Sequence, residues 1–302
     1  MFRVNKKIMI VIIILGLILY FNSLCLAGMT VQEVINNMQK AYEKQMKGVN
    51  DFTVIHRSTG GVAALAGETI TYYKKAKLEG QDIYKSRIES QVMGMDMVII
   101  NDGRYYWTTN PMTGEIDKEI SEHDSVQIWR NLDPVRTQYL GEEEVSGEKA
   151  YVLKFDNPIQ VMGKQQAMSQ QEEEPEEPEE PGEMWGTLWI SSKTWMPLRM
   201  LMEFKAESME EAEEMIMIMK MTTDLKDYRQ VGAMLHPYQM VMSTTMELDT
   251  TGLSEEEKKE RQAMMQMMSA MMSGMGSFTI ETIDIKVNTG LSDDLFDGTK
   301  LE

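Results

Sequence analysis

Alternation of apolar and polar residues runs through most of the chain and predicts a sheet of antiparallel strands. In the run 198–205 the apolar residues share one parity, with Leu201 the exception, and charged residues take most of the other, which is the period of a strand with one buried face. Asn101-Asp102-Gly103 is a hairpin signal, and turns this short favour an antiparallel meander. Further strands are predicted at 52–57, 70–76, 82–92, 95–101, 104–109, 137–145, 149–156, 185–191, 215–228, 234–248 and 277–287.

A helix is predicted ahead of the first strand. Thr30 and Glu33 have the spacing of a capping box, which marks a helix start. An apolar stripe that would pack on a sheet follows: Val31, Ile35, Met38 and Tyr42. A second, short helix is predicted from Asp124 to Leu132, because Asp124 can cap it and Pro134 stops its continuation.

The last strand changes phase. Phe278 and Ile280 share one parity and Ile283 and Ile285 share the other, which predicts a bulge or bend near Thr282. Together the runs predict an α+β fold, in which one large curved antiparallel sheet, a half-barrel of about ten or eleven strands, is covered by a few helices. Since few helices cannot fill a wide concavity tightly, an apolar cavity is expected.

Methionine accounts for 31 of the 302 residues, in two main clusters with different spacings. Those between 215 and 221 alternate as in a strand, and those between 264 and 275 recur as on one face of a helix. The second cluster lies in a predicted helical insertion, 249–276. Because methionine adapts to irregular apolar partners, this face is interpreted as a lid over the cavity or a membrane-touching element, or else as a helix packed permanently on the sheet. The lid candidates are Met264, Met268, Met271, Met272 and Met275.

The net charge of −18 argues against a nucleic-acid partner. Much of the acidity lies in the insertion 165–183, where glutamates alternate with prolines. Such a segment repels itself and cannot bury apolar area, so we expect it to be disordered, extended and solvated.

The N-terminus is typical of an exported protein. Arg3, Lys6 and Lys7 precede an apolar run from Ile8 to Phe21, about the length of a signal-peptide core. Residues 1–27 are therefore predicted to be a signal peptide and 28–302 the mature domain, located in the periplasm. An uncleaved membrane anchor and a lipid-modified Cys25 are alternatives. Cleavage after Ala27 would remove the single cysteine.

Several short segments follow one another along the mature chain in a familiar order: Asn101-Asp102-Gly103-Arg104-Tyr105-Tyr106-Trp107, Gly147-Glu148-Lys149-Ala150-Tyr151-Val152-Leu153, Trp195-Met196-Pro197-Leu198-Arg199, His236-Pro237 and Val287-Asn288-Thr289-Gly290-Leu291. In this order they resemble the periplasmic lipoprotein carriers related to the Lol carrier protein and its outer-membrane receptor. The resemblance covers most of the mature chain. It implies a half-barrel closed by helices, which holds acyl chains in an apolar cavity without catalysis. The two insertions depart from the family pattern.

The predicted function is to shield acyl chains of lipoproteins or lipids during transfer towards the outer membrane. A membrane transporter or outer-membrane receptor is a further expected partner, and the protein is expected to be a monomer. An alternative is a periplasmic regulator that senses lipid or mislocalised lipoprotein through the same cavity. The candidate cavity-lining residues are Trp107, Trp189, Leu198, Met200, Met202, Phe204, Met217 and Met219.

No catalytic set emerges from the sequence, so an enzyme is not expected. His56, His123 and His236 are far apart in sequence and lack nucleophile or metal spacing. Thioethers bind Cu(I), so a methionine-rich copper-binding protein is a second alternative. The main prediction includes no metal and no cofactor.

Overall fold

The computed structural model describes residues 29–61, 67–92, 94–121, 127–156, 184–210, 213–248, 258–259 and 277–301. The predicted signal peptide and acidic insertion lie outside these ranges, as do the methionines of the predicted insertion helix. Lys258 and Lys259, within that insertion, are helical.

Thirteen strands form one open antiparallel sheet, in the order β6-β5-β4-β3-β2-β1-β13-β12-β11-β10-β9-β8-β7. The predicted half-barrel is confirmed, with more strands than expected. The pairing of β1 with β13 brings the two ends of the domain together in the middle of the sheet. The strands are β1 (Asp51–Thr59), β2 (Glu68–Leu78), β3 (Gln81–Val92), β4 (Met95–Asn101), β5 (Tyr105–Thr109), β6 (Ile116–Ile120), β7 (Thr137–Val145), β8 (Glu148–Asp156), β9 (Met184–Ser191), β10 (Pro197–Glu210), β11 (Glu213–Val231), β12 (Met234–Leu248) and β13 (Ser277–Val287).

Strand β6 was not predicted, because its sequence, Ile116-Asp117-Lys118-Glu119-Ile120, has no apolar alternation. It is an edge strand and almost wholly exposed, so neither of its faces needs apolar side chains. The other edge, β7, carries Glu142, Glu143 and Glu144. Charges on both edges discourage pairing with another chain.

The helix α1 (Val31–Gln45) packs on one face of the sheet, which we call the inner face. The predicted capping box is confirmed: the Thr30 hydroxyl accepts from the Glu33 backbone, and the Glu33 carboxylate accepts from the Thr30 backbone at 2.8 Å. Val34, Ile35 and Met38 point to the sheet and are buried.

Of the second predicted helix, 124–132, the structure describes residues 127–132. Among the described residues, the segment 124–132 holds a single 3₁₀ turn, Ile128–Arg130, whose Trp129 is buried beside α1. Asp124, the predicted cap, lies outside the described ranges. Within the described ranges, α1 and this 3₁₀ turn provide the helical cover of the inner face.

Two local predictions of strand geometry are confirmed. The register of β1 with β13 shifts between Ile55 and His56, opposite Thr282, where the phase break predicted a bulge. The turn Asn101-Asp102-Gly103 joins β4 to β5, and one Asp102 carboxylate oxygen accepts from the backbone of Arg104 and of Tyr105 at 2.8 Å each.

The C-terminal segment covers part of the opposite face. It leaves β13 through Thr289 and Gly290, whose backbone N–H groups donate to the Asp51 carboxylate. Two 3₁₀ turns, Asp293–Phe296 and Gly298–Lys300, then pack on the side of β3 and β5 that faces away from α1. Phe296 is completely buried there, so the C-terminal segment packs closely on this half of the sheet.

Candidate functional site

An apolar pocket of about 250 Å³ that is partly open to solvent lies between α1 and the inner face, and we call it the cavity. Helix α1, the 3₁₀ turn and the turn before β10 form one side, and strands β1, β2, β11 and β12 form the other. The cavity is lined by Met38, Tyr42, Gln45, Met46, Phe52, Val54, His56, Tyr73, Ile128, Trp129, Trp195, Met196, Pro197, Leu225, Tyr228, Met234, Leu235, His236 and Pro237.

Each wall of this cavity contains an aromatic pair. Phe52 stacks on Tyr73 across β1 and β2 with ring centroids 4.5 Å apart, and Tyr42 of α1 contacts Trp129 at 4.3 Å. Such pairs are stiff and large. The N-terminal half of α1 packs closely on Leu153, Leu188 and Ile190, and Met46 at its C-terminal end packs with Phe52 and Val54 of β1.

Two histidines line the cavity side by side, although sequence separation had argued against their association. His56 of β1 and His236 of β12 have ring centroids 6.2 Å apart, because β13 alone separates their strands. Burial lowers the pKa of His56 to about 4. Burial, and then the neighbouring His56, lower the pKa of His236 to about 4. Both rings are therefore neutral near pH 7.

The ring nitrogens of these two histidines have few hydrogen-bond partners in the described chain. The Nδ1 of His56 lies 3.4 Å from the Thr282 hydroxyl. The Nε2 of His236 is buried and has no hydrogen-bond partner within the described chain. A polar atom of this kind in an apolar pocket gives a ligand one point of hydrogen bonding.

Five of the predicted lining residues lie on the inner face, on strands β10 and β11. Met200 and Met202 are buried, and Met200 packs in the core against α1. Phe204 pairs with Met219, and Met217 follows in the same register. These five share the face of the cavity, but the cavity itself is lined by other residues.

Beyond α1 the inner face continues as a set of half-buried residues, which we call the methionine face. In the described part of the chain its members belong to neither helix-packed cluster. Register places Phe204 opposite Met219, and Met219 opposite Met246. The methionine face consists of Phe204, Met217, Met219, Met221, Met242 and Met246.

The other three candidates have different positions. Leu198 lies half-buried in the bulge where β10 begins. Trp189 lies on the opposite face, since its neighbours Leu188 and Ile190 take the inner one, and its Nε1 donates to the Glu143 carboxylate at 2.7 Å.

Trp107 also lies on the opposite face. Its partner in β4 is the fully buried Ile100, and its Nε1 donates to the Asp102 carboxylate at 2.9 Å. A Cβ at Gly298 would lie 2.2 Å from the indole, so the C-terminal 3₁₀ turn is packed directly on this ring. The lid candidates, Met264 to Met275, lie outside the described residues.

Sequence reasoning missed the residues that line the cavity, except for the apolar stripe of α1. Met38 and Tyr42 were predicted to pack on a sheet, and they do. Phe52, His56 and Met234 carry no local signal of a cavity, because their proximity depends on the pairing of β1, β13 and β12.

Within the described ranges, no group of three or more His, Cys, Asp or Glu side chains converges on a possible metal position. No helix in the same ranges has the length and apolar character needed to span a membrane.

Comparison with solved structures gives several similar chains. A DUF1329 family protein from Desulfovibrio piger has 15% identity and a TM-score of 0.51, with 90% of this chain and 99% of that one covered. The chain shares the fold of this protein. A domain named for outer membrane lipoprotein sorting from Vibrio parahaemolyticus has 12% identity, a TM-score of 0.49, and coverage of 88% and 97%.

A LolA superfamily protein from Nitrosomonas europaea has 14% identity and a TM-score of 0.44, with coverage of 89% and 98%. The resemblance stated from the sequence, to Lol-type proteins, is confirmed as a likeness to structures of that family. No protein-family model matches the chain, and no curated protein matches it in sequence.

Proposed function

We propose that the protein binds acyl chains of lipids or lipoproteins between α1 and the inner face, and carries them through the periplasm towards the outer membrane. The observation that supports this proposal is that the cavity and the methionine face lie on the same face of the sheet, since Leu225, which lines the cavity, has the parity of Met221 in β11. The names of two similar structures, which refer to outer membrane lipoprotein sorting and to LolA, agree with it. A carrier of this kind performs no catalysis.

The size of the cavity fits part of one chain. An apolar cavity of about 150 Å³ accepts a benzene molecule, and this one measures about 250 Å³. Each methylene buried contributes about 0.8 kcal/mol, so a few methylenes give measurable affinity. The rest of an acyl chain would lie along the methionine face, where flexible thioether side chains adapt to it.

The proposal is tested first with the native ligand. The protein is purified from its own cell envelope without detergent exchange, and its lipids are extracted and identified by mass spectrometry. We expect lipid or lipopeptide at close to one molecule per chain. Absence of any lipid, together with failure of the purified protein to bind a fluorescent fatty acyl probe, would show that the proposal is wrong.

A variant pair then locates the site. M219Q and M221Q together place two amides on the methionine face and should weaken binding of the acyl probe about tenfold, since each buried methionine contributes about 1.5–3 kcal/mol of apolar burial and the face is only half-buried. The control I218Q lies on the same strand with opposite parity. Equal weakening in the control would contradict the assignment of this face.

A further inference from the structure

A second pocket, of about 600 Å³, opens beside the apolar cavity. It lies where the turns between β9 and β10 and between β11 and β12 meet one flank of α1. Its lining is mostly polar: Asn37, Lys40, Ala41, Lys44, Gln45, Lys193, Thr194, Trp195, Gln230, Ala233 and Leu235. We call it the basic pocket.

The charge of the basic pocket is opposite to that of the chain. Lys40, Lys44 and Lys193 line it without any acidic residue, whereas the whole chain has a net charge of −18. All three lysines are exposed. The lysines that form ion pairs in the part of the chain that the structure describes include Lys74, Lys75, Lys149, Lys220, Lys226, Lys286 and Lys300.

The position of α1 explains why these lysines converge. Lys40 and Lys44 are four residues apart and share one face of the helix. The residue after Lys44, Gln45, lines the cavity as well as the basic pocket. Lys193 comes from the turn between β9 and β10. In that turn Trp195 has φ +61° and stacks on Tyr151 with ring centroids 5.0 Å apart, so the stacked ring fixes the turn beside the helix.

The basic pocket and the apolar cavity have a common wall. Gln45, Trp195 and Leu235 line both. A single molecule can therefore place a charged group among the lysines and an apolar chain under α1. Ammonium groups bind phosphate oxygens through charge-assisted hydrogen bonds, and a phosphate joined to acyl chains is the headgroup of an anionic lipid.

We propose that the ligand is an anionic amphiphile whose headgroup phosphate binds Lys40, Lys44 and Lys193 while an acyl chain enters the cavity. This inference rests on the proposed function and names the substrate class: anionic phospholipids are selected over zwitterionic lipids and uncharged acylglycerols with the same chains.

The test compares three short-chain lipids with identical acyl chains: phosphatidylglycerol, phosphatidylcholine and diacylglycerol. Each displaces a neutral fluorescent acyl probe from the full purified protein, at about 0.01 M and about 1 M salt. Phosphatidylglycerol should bind about tenfold more tightly than the other two at low salt, as the sum of three exposed ion pairs. The preference should largely vanish at high salt, because screening is strong there.

Two triple variants assign the preference to the pocket. K40Q/K44Q/K193Q should lower the preference for phosphatidylglycerol to near unity and leave diacylglycerol affinity unchanged. The control K77Q/K85Q/K286Q removes the same charge elsewhere, with only the long 3.8 Å pair of Lys286 and Asp284 lost besides in the described chain, and should retain the preference. Equal loss of preference in both variants would overturn the proposal, because it would show an effect of net charge alone.

A competition experiment with glycerol phosphate tests whether the basic pocket binds a lipid headgroup or any small phosphate. We expect it to displace phosphatidylglycerol only weakly, since it lacks the acyl contribution. Binding as tight as that of the lipid would overturn the proposal in favour of a small-anion site. If all three lipids bind equally and the lysine variant changes nothing, the inference is wrong and acyl binding stands. If the neutral probe itself does not bind, the proposed function also fails.

Discussion

The inner face of the half-barrel has two regions that differ in both composition and burial. Under α1, branched side chains are excluded from solvent: Leu188 is 1% exposed and Ile190 is 0% exposed. Beyond the helix, the methionine face is half-buried throughout the described residues, as for Met219 and Met242. One sheet thus carries a tightly packed core and an adaptable apolar surface side by side.

This difference in composition suits one region to stabilising the fold and the other to binding a ligand. Branched side chains in a close-packed core accept one arrangement, and every lost methylene costs stability. Methionine has more rotatable bonds and no branch, so it fits partners of irregular shape at small cost. We infer that the region under α1 holds the fold together, and that the methionine face is available to a ligand. The histidine pair lies in the cavity between α1 and the sheet.

Lowering the pH should destabilise the protein through the region under α1 rather than through the methionine face. Both histidines have a folded-state pKa of about 4, below the ordinary 6.5, so the unfolded chain takes up their protons first. Their contribution to stability is complete above pH 6.5 and is lost as the pH falls towards 4. The loss is about 3 kcal/mol per histidine, measured by urea unfolding at several pH values.

The variant H56Q/H236Q provides the control for this pH dependence and should make stability nearly constant between pH 6.5 and 4. Carboxyl groups act mainly at the lower end of this range and below it: hydrogen bonds from Thr30 lower the pKa of Glu33 from 4.5, and one from Arg229 lowers that of Asp227 from 3.8, so their contributions are lost as the pH falls below those values. An unchanged slope between pH 6.5 and 4 in the variant would contradict the assignment to the histidines.

Truncating one side chain in each region should change the free energy of unfolding by different amounts. L188A leaves a cavity in the packed core and should lower the free energy of unfolding by about 3 kcal/mol. M219A on the methionine face should lower it by less than about 1 kcal/mol, because the side chain is half-buried and its neighbours can rearrange. Guanidinium unfolding of both variants measures this. Equal losses would remove the distinction between core and adaptable surface.

The helix cap gives the smallest expected effect. T30A removes the hydroxyl that accepts from the Glu33 backbone, and should destabilise by about 1 kcal/mol. Amide hydrogen exchange should then accelerate along α1 and leave β11 and β12 unchanged. T30S retains the acceptor and should behave as the unmodified protein. Faster exchange in β11 as well would mean that α1 and the methionine face open together.

Local sequence signals located most of the elements. Period-2 alternation predicted the long strands, the Thr30 and Glu33 spacing predicted the start of α1, and the phase break predicted the bulge opposite Thr282. Each depends on residues close together in the chain. The edge strand β6 was missed because it buries neither face and therefore needs no apolar pattern.

Alternation also separated the two faces of each strand, but it did not indicate which face the helix would cover. Trp189 and Leu188 are neighbours, and only the packing of α1 made Leu188 part of the core and left Trp189 on the opposite face. Trp107 was likewise covered by the distant C-terminus.

The sequence by itself determined that the chain forms a large antiparallel sheet with a methionine-rich apolar side. Tertiary structure alone decided where the cavity lies, that His56 and His236 share it, and that Lys193 meets Lys40 and Lys44 at its edge. The physical reason is the range of the interactions. Strand and cap signals are encoded within a few residues, whereas the cavity and the basic pocket exist only after β1 has paired with β13 and α1 has packed across the sheet.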